Sequence, residues 1–158
     1  MILYRFNSQP IEGIINPLDG LQDERLEMIT TEGMLQKAPY TEVKALCVAV
    51  AGTKPTLFTE NSFFERRPKL AGLWIRFFLR DGDMLEGLLS HNLLDWPDHG
   101  YWITPPRAGP GRQRVFLPRS SLSGTEMLGV IGTHRTMKAR LRQESAKSHG
   151  QQLPMFDE

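Results

Sequence analysis

The stretch Arg80-Asp81-Gly82-Asp83-Met84-Leu85-Glu86-Gly87 decides how the rest of the chain is read. Before it, Leu73 to Leu79 alternates around Trp74, Arg76 and Phe78, the period of a half-buried strand. Asp-Gly between two such runs is a hairpin signal, because Gly82 supplies the positive φ that tight turns need. Met84 to Leu89 is then a second strand, with Gly87 where a small barrel must bend and a side chain would obstruct packing. Outward from there, Tyr101 to Thr104 is predicted as a third strand, stopped by Pro105-Pro106. Gln113 to Leu117 is a fourth, bent at Pro118, and Glu126 to Ile131 a fifth.

The N-terminal third shows the same order of signals. Ile2–Phe6, Pro10–Ile15, Leu26–Thr30, Met34–Ala38 and Val43–Val50 are predicted as its five strands. Tyr4-Arg5-Phe6 faces Ile75-Arg76-Phe77, and Ile11-Glu12-Gly13 faces Leu85-Glu86-Gly87 at an offset of 74 that persists at Ile29-Thr30 and Ile103-Thr104. The offset becomes 79 by Pro39 and Pro118. On this alignment Arg80 to Asp83 enlarges the first hairpin and Ala108 to Gly111 a later one, places where a shared fold tolerates insertion.

Composition agrees with a turn-rich β protein. The 158 residues include 14 Gly and 11 Pro, and a chain of this size buries roughly 70% of its unfolded surface without staples. Nineteen basic against 18 acidic residues leave a net charge of +1, so no global field draws the chain to nucleic acid. The charge is uneven, with 1–50 at −3 and the stretch from Arg135 to Lys147 at +4. A single Cys excludes an internal disulfide and a Cys-based zinc site. With no signal peptide and no apolar run of membrane length, a cytoplasmic location is expected.

Asp-Gly at a hairpin tip before a strand with an obligatory Gly resembles the opening of Sm-like barrels, and residues 1–132 resemble a largely uncharacterised bacterial family of tandem Sm-like or SH3-like barrels. The resemblance implies a mainly β fold of two five-stranded barrels, at 1–50 and 73–132. A connector at 51–72 joins them, and a helical or disordered basic tail comes after them at 133–158. Closure suits so small a sheet because it removes edges that could not otherwise be covered. Short edges at strands four and five are expected to pair with each other, within the chain as a pseudo-dimer or between chains as a homo-oligomer. The Sm family's RNA pocket joins Asp and Asn after strand two with an Arg-Gly pair near strand four. This chain offers His91-Asn92 and Pro118-Arg119-Ser120 there, so the fold transfers better than the RNA site.

Two classes of function are open, a binding module and an enzyme. For the first, Arg66, Arg67, Lys69, Arg107, Arg112, Arg114 and Arg119 could gather to neutralise phosphates of RNA or another nucleic acid, with Phe63, Phe64, Tyr101 and Trp102 near enough to stack bases. The plainer reading is a surface balanced by nearby acids. For the second, His91, Asp95, Asp98 and His99 offer ligands for a divalent metal within nine residues, although a polar loop turning around Pro97 explains them equally well. Trp96 on that loop reads as a ring packed across the barrel mouth. Ser120, Ser121 and Ser123 lack a nucleophile-elbow motif, and Cys47 sits in an apolar run. Gly109-Pro110-Gly111 lacks the Lys of a phosphate loop, so no cofactor is expected. Arg76 and Arg80 have the spacing of the PilZ cyclic-dinucleotide motif without its second half, and read as arginines solvating one face. The balance favours a non-catalytic binding protein, engaging RNA or a protein partner, over a metal-dependent enzyme.

The chain ends Gln152-Leu153-Pro154-Met155-Phe156-Asp157-Glu158. Its Gln152 to Phe156 stretch resembles the pentapeptide with which bacterial proteins bind the DNA sliding clamp. The resemblance implies a docking peptide of Gln152, Leu153, Met155 and Phe156, in which Met155 and Phe156 fill an apolar pocket and Gln152 bonds at its rim, while packing onto the chain's own barrel is the structural alternative.

Overall fold

The computed structural model describes residues 1–16, 20–48, 57–58, 62–106 and 113–132. The architecture is mainly β: the described residues form ten strands and two short 3-10 turns, Leu93–Asp95 and Arg119–Ser121. The strands are β1 (Ile2–Arg5), β2 (Ser8–Ile14), β3 (Arg25–Thr30), β4 (Leu35–Pro39), β5 (Val43–Val48), β6 (Gly72–Leu79), β7 (Met84–Leu89), β8 (Gly100–Ile103), β9 (Arg114–Pro118) and β10 (Leu122–Ile131). All pairings among the described residues are antiparallel.

The hydrogen-bonded sheets do not divide at the connector. A curled seven-stranded sheet runs β4-β3-β2-β1-β5-β9-β8, and a three-stranded sheet runs β10-β6-β7. The crossing is made by β5 and β9, with Leu46 opposite Phe116, Cys47 opposite Val115 and Val48 opposite Arg114. Leu88 and Thr104 exchange backbone bonds of 3.0 Å in both directions, which joins β7 to β8 and links the two sheets.

Side-chain alternation on β5 and β9 then builds two cores. Ala45, Cys47, Val115 and Leu117 face the three-stranded sheet and pack with Ile75, Phe77, Leu79 and Leu85. Leu46 and Phe116 face the other way, among Leu3, Leu26, Met28 and Val43. Phe116, contributed by the C-terminal half, is thus fully buried in the core of the N-terminal half.

The hairpin at Gly82 forms as its sequence requires. Gly82 has φ 91°, its N–H donates to the Leu79 carbonyl at 3.1 Å, and Leu79 N–H donates to the Asp83 carbonyl at 2.8 Å. At Gly87, a Cβ would lie 2.6 Å from Ile103 Cδ1 and 2.9 Å from its Cβ, so only glycine lets β8 pass this close.

Two expectations are corrected. The tip Arg80–Asp83 does not enlarge its hairpin: Ile2 pairs with Glu12 and Arg76 with Glu86, so the two hairpins have the same length. Burial sets this register, because it turns Leu3 and Phe77 fully inward, and a shift of three residues would flip the faces. β10 starts at Leu122, four residues earlier than its alternation suggests, because a slip in its ladder with β6 lets pairing resume after Pro118.

Candidate functional site

An open groove of about 800 Å³ lies between the end of β7, the loop through Leu93–Asp95, and β8 and β9. Its aromatic wall is Trp102, half-buried on β8, where the ring packs at 5.3 Å against Phe116. The Arg114 guanidinium lies over the same indole, 5.1 Å from the ring centroid. Trp96 stands on another side of the groove. Its indole N–H donates to the Ser90 carbonyl at 3.1 Å and its ring meets Tyr101 edge-on at 5.6 Å. The loop that carries Trp96 is shaped by local bonds, with the Asn92 side chain accepting from Leu94 N–H and the Asp95 carboxylate accepting from Ser90 Oγ at 2.8 Å and Asn92 Nδ2 at 3.0 Å. Leu70 from the connector, 59% exposed, closes one rim. Indole faces beside a guanidinium suit a flat π-faced ligand that carries an anionic group.

Among the described residues, the basic side chains singled out in the sequence lie at separate places. Arg114 lines the groove. Arg119 lies at the far end of the same strand pair, its guanidinium 4.9 Å from the Tyr101 centroid. Arg66 lines a separate recess of about 180 Å³ with Phe63, Phe64 and Pro106, while Arg67 and Lys69 are exposed on the connector. Arg107 and Arg112 lie outside the described residues, as do Gln152, Leu153, Met155 and Phe156.

His91, Asp95, Asp98 and His99 do not converge. His99 stacks on Tyr40 at 5.6 Å and sits 3.4 Å from the Asp23 carboxylate, while Asp95 is held within its own loop. Among the described residues, no group of three or more His, Cys, Asp or Glu is placed to hold a metal ion. The hydroxyls of Ser120, Ser121 and Ser123 donate to the backbone carbonyls of Tyr40, Pro118 and Phe78. Burial pushes the Cys47 thiol up to about 11, which leaves it a protonated core residue.

Two buried charges escaped the sequence reading. Glu86 is 3% exposed and accepts from Trp74 Nε1 and the Phe64 backbone N–H, each at 3.1 Å, and from Arg76 at 2.9 Å. With Glu86 N–H donating to the Ser62 carbonyl, it ties the connector to β7. Lys44 is 8% exposed and donates to Asp81 at 2.5 Å and to Asp83, so it clamps the Gly82 hairpin onto β5. Burial pulls the Lys44 ammonium down, but the two aspartates outweigh it and hold it above its ordinary value. Arg76 and Arg80, which reach solvent as expected, also have specific partners. Arg76 bridges Glu86 and Glu126, and Arg80 donates to the Thr41 carbonyl while lying 4.4 Å from the Phe6 ring centroid. Alternation marks which face a residue takes, and carries no signal that a charge on that face will be covered by another segment.

Among the described residues no helix is long and apolar enough to cross a membrane. No curated protein and no solved structure matches the chain. A family of unknown function, DUF6982, matches residues 1–129 of the 158. The chain belongs to that family.

Proposed function

We propose that this chain is a non-catalytic binding module built from two tandem Sm-like barrels, and that its Trp96–Trp102–Arg114 groove takes single-stranded RNA. Equivalence of the halves is supported by the ladders. Leu3 pairs with Leu46 as Phe77 pairs with Thr125, and each ladder slips at the same place, passing over Lys44 in β5 and Ser123 in β10. Gly13 repeats the tight approach of Gly87, with a Cβ there only 2.3 Å from the Ile29 carbonyl oxygen. Counting the Leu88–Thr104 bridge, both halves run in the order five-one-two-three-four.

The observation that carries the RNA reading is Arg114 over Trp102 in a groove that Trp96 also lines. Stacking tolerates any base and a guanidinium can reach a phosphate, the combination that holds single strands. Ser90, Asp95 and Thr104 also line the groove and can exchange hydrogen bonds with a ribose 2′-hydroxyl, which gives a reason to favour RNA over DNA. Titrating a fluorescent single-stranded RNA at low and moderate salt tests this. Affinity should fall with salt, with a log–log slope of about 0.7 per phosphate neutralised, and Arg114→Ala should weaken binding by about fivefold. Affinity that ignores both salt and Arg114 would sink the proposal.

A further inference from the structure

Once β7 and β8 are joined through Leu88 and Thr104, two strand edges remain without a second neighbour among the described residues: β4 on the seven-stranded sheet and β10 on the three-stranded sheet. They match the two kinds of edge that already meet inside the chain. β10 lies against β6 as β5 lies against β1, with the same slip. β4 lies against β3 as β9 lies against β8, Pro39 opposite Arg25 and Pro118 opposite Gly100 closing the two ladders.

We propose that copies of this chain join head to tail through these edges, β10 of one copy pairing antiparallel with β4 of the next. The β5–β9 junction sets the register. Leu46–Phe116, Cys47–Val115 and Val48–Arg114 become Thr125–Lys37, Glu126–Gln36 and Met127–Leu35. The register so obtained brings together two side chains that the single chain leaves in water, Met127 at 61% exposure and Leu35 at 58%. Leu35 is also the end of a row. Ile14 pairs with Ile29 and Ile29 with Leu35 across β2, β3 and β4, and all three side chains are exposed. Lys37 and Glu126 fall at adjoining positions with opposite charge.

Uncovered apolar edges are a hazard that stable monomers avoid, and pairing with a second copy removes it. The contact is heterologous, so it closes into a ring or runs on as a filament. It rests on the equivalence of the two halves and not on RNA, so a monomer that still binds RNA would sink the assembly alone.

The test uses the full chain. Light scattering across a dilution series should give a mass above that of one chain, and Leu35→Asp or Met127→Asp should return it to monomer with an unchanged circular dichroism spectrum. Cysteines then check the register in a Cys47→Ala background. Leu35→Cys chains mixed with Met127→Cys chains should form an inter-chain disulfide, since paired strand positions lie within disulfide reach, and neither should cross-link alone. Monomer at every concentration overturns the proposal, as does self-cross-linking of Leu35→Cys. Association that survives both Asp substitutions but is lost on removing 133–158 also overturns it.

Discussion

β2 and β7 carry the same short signature, Ile11-Glu12-Gly13 and Leu85-Glu86-Gly87, and occupy the same place in their hairpins, yet their outward faces have opposite fates. Glu12 is exposed and Ile14 is 74% exposed, whereas Glu86 is 3% and Leu88 5% exposed. The difference lies in which other segments of the chain reach each strand. Residues of the connector, held by Ser62 and Phe64, cross β7 and bond to Glu86, whereas a third strand is common to both, β8 beside β7 and β3 beside β2. Among the described residues, nothing comparable crosses β2. A strand motif fixes which side chains point outward; the fate of the outward face is decided by a segment distant in sequence.

The largest expected effect breaks the covered side of that comparison. Glu86→Ala strands the Trp74 and Phe64 N–H groups and leaves Arg76 paired with Glu126 alone, so urea unfolding should show a loss of about 3 kcal/mol. Glu12→Ala should stay within about 0.5 kcal/mol. Equal losses at the two positions would mean that the connector does not cover β7 as described. Next, Leu88→Ala should cost about 2 kcal/mol by leaving a cavity, against a change within about 0.5 kcal/mol for Ile14→Ala.

A smaller effect concerns the hairpin tips. The Gly82 tip carries Asp81 and Asp83 against Lys44, whereas the opposite tip is Phe6-Asn7, without an acid. Burial alone would raise the Asp81 carboxyl, but its bond to Lys44 outweighs this and leaves it below the ordinary value of 3.8. Because the folded value is the lower one, this stabilisation is present above pH ~4 and is lost as pH falls further. Melting temperatures followed into acid should therefore fall, and the fall should be shallower in Lys44→Met, which loses the pairing at every pH. Parallel acid limbs in the two proteins would refute the clamp.

Much of this fold is legible in the sequence because its punctuation is chemical. Gly82 takes a positive φ, Gly87 sits where a Cβ would not fit, and Pro105 and Pro118 restrict the chain; together they place four strands within a residue or two of where they form. The hairpin register is not legible at Tyr4-Arg5-Phe6, since the match with Ile75-Arg76-Phe77 is one of residue type, and core packing at Leu3 and Phe77 overrides it. For the site, Trp102 and Arg114 stand out as an aromatic and a cation, but their approach depends on β8–β9 pairing across twelve residues. Trp96 reads in sequence as a ring packed across a barrel mouth; half-buried, it packs against the core cluster of Phe77 and Leu117 and also lines the groove, because Asn92 and Ser90 turn its loop. The loop histidines look alike in sequence, and only the fold shows His99 engaged with Tyr40 and Asp23 from the other half.

The central claim, that the groove on the covered half binds RNA while the bare face of β2, β3 and β4 does not, is tested most directly by cross-linking. The chain is mixed with a single-stranded RNA carrying 4-thiouridine, irradiated, digested and mapped by mass spectrometry. Adducts are predicted on Trp96 or Trp102 and on peptides containing Arg114, and they should diminish in Arg114→Ala. Adducts concentrated at Ile14, Ile29 or Leu35, or an even scatter over the surface, would contradict the account.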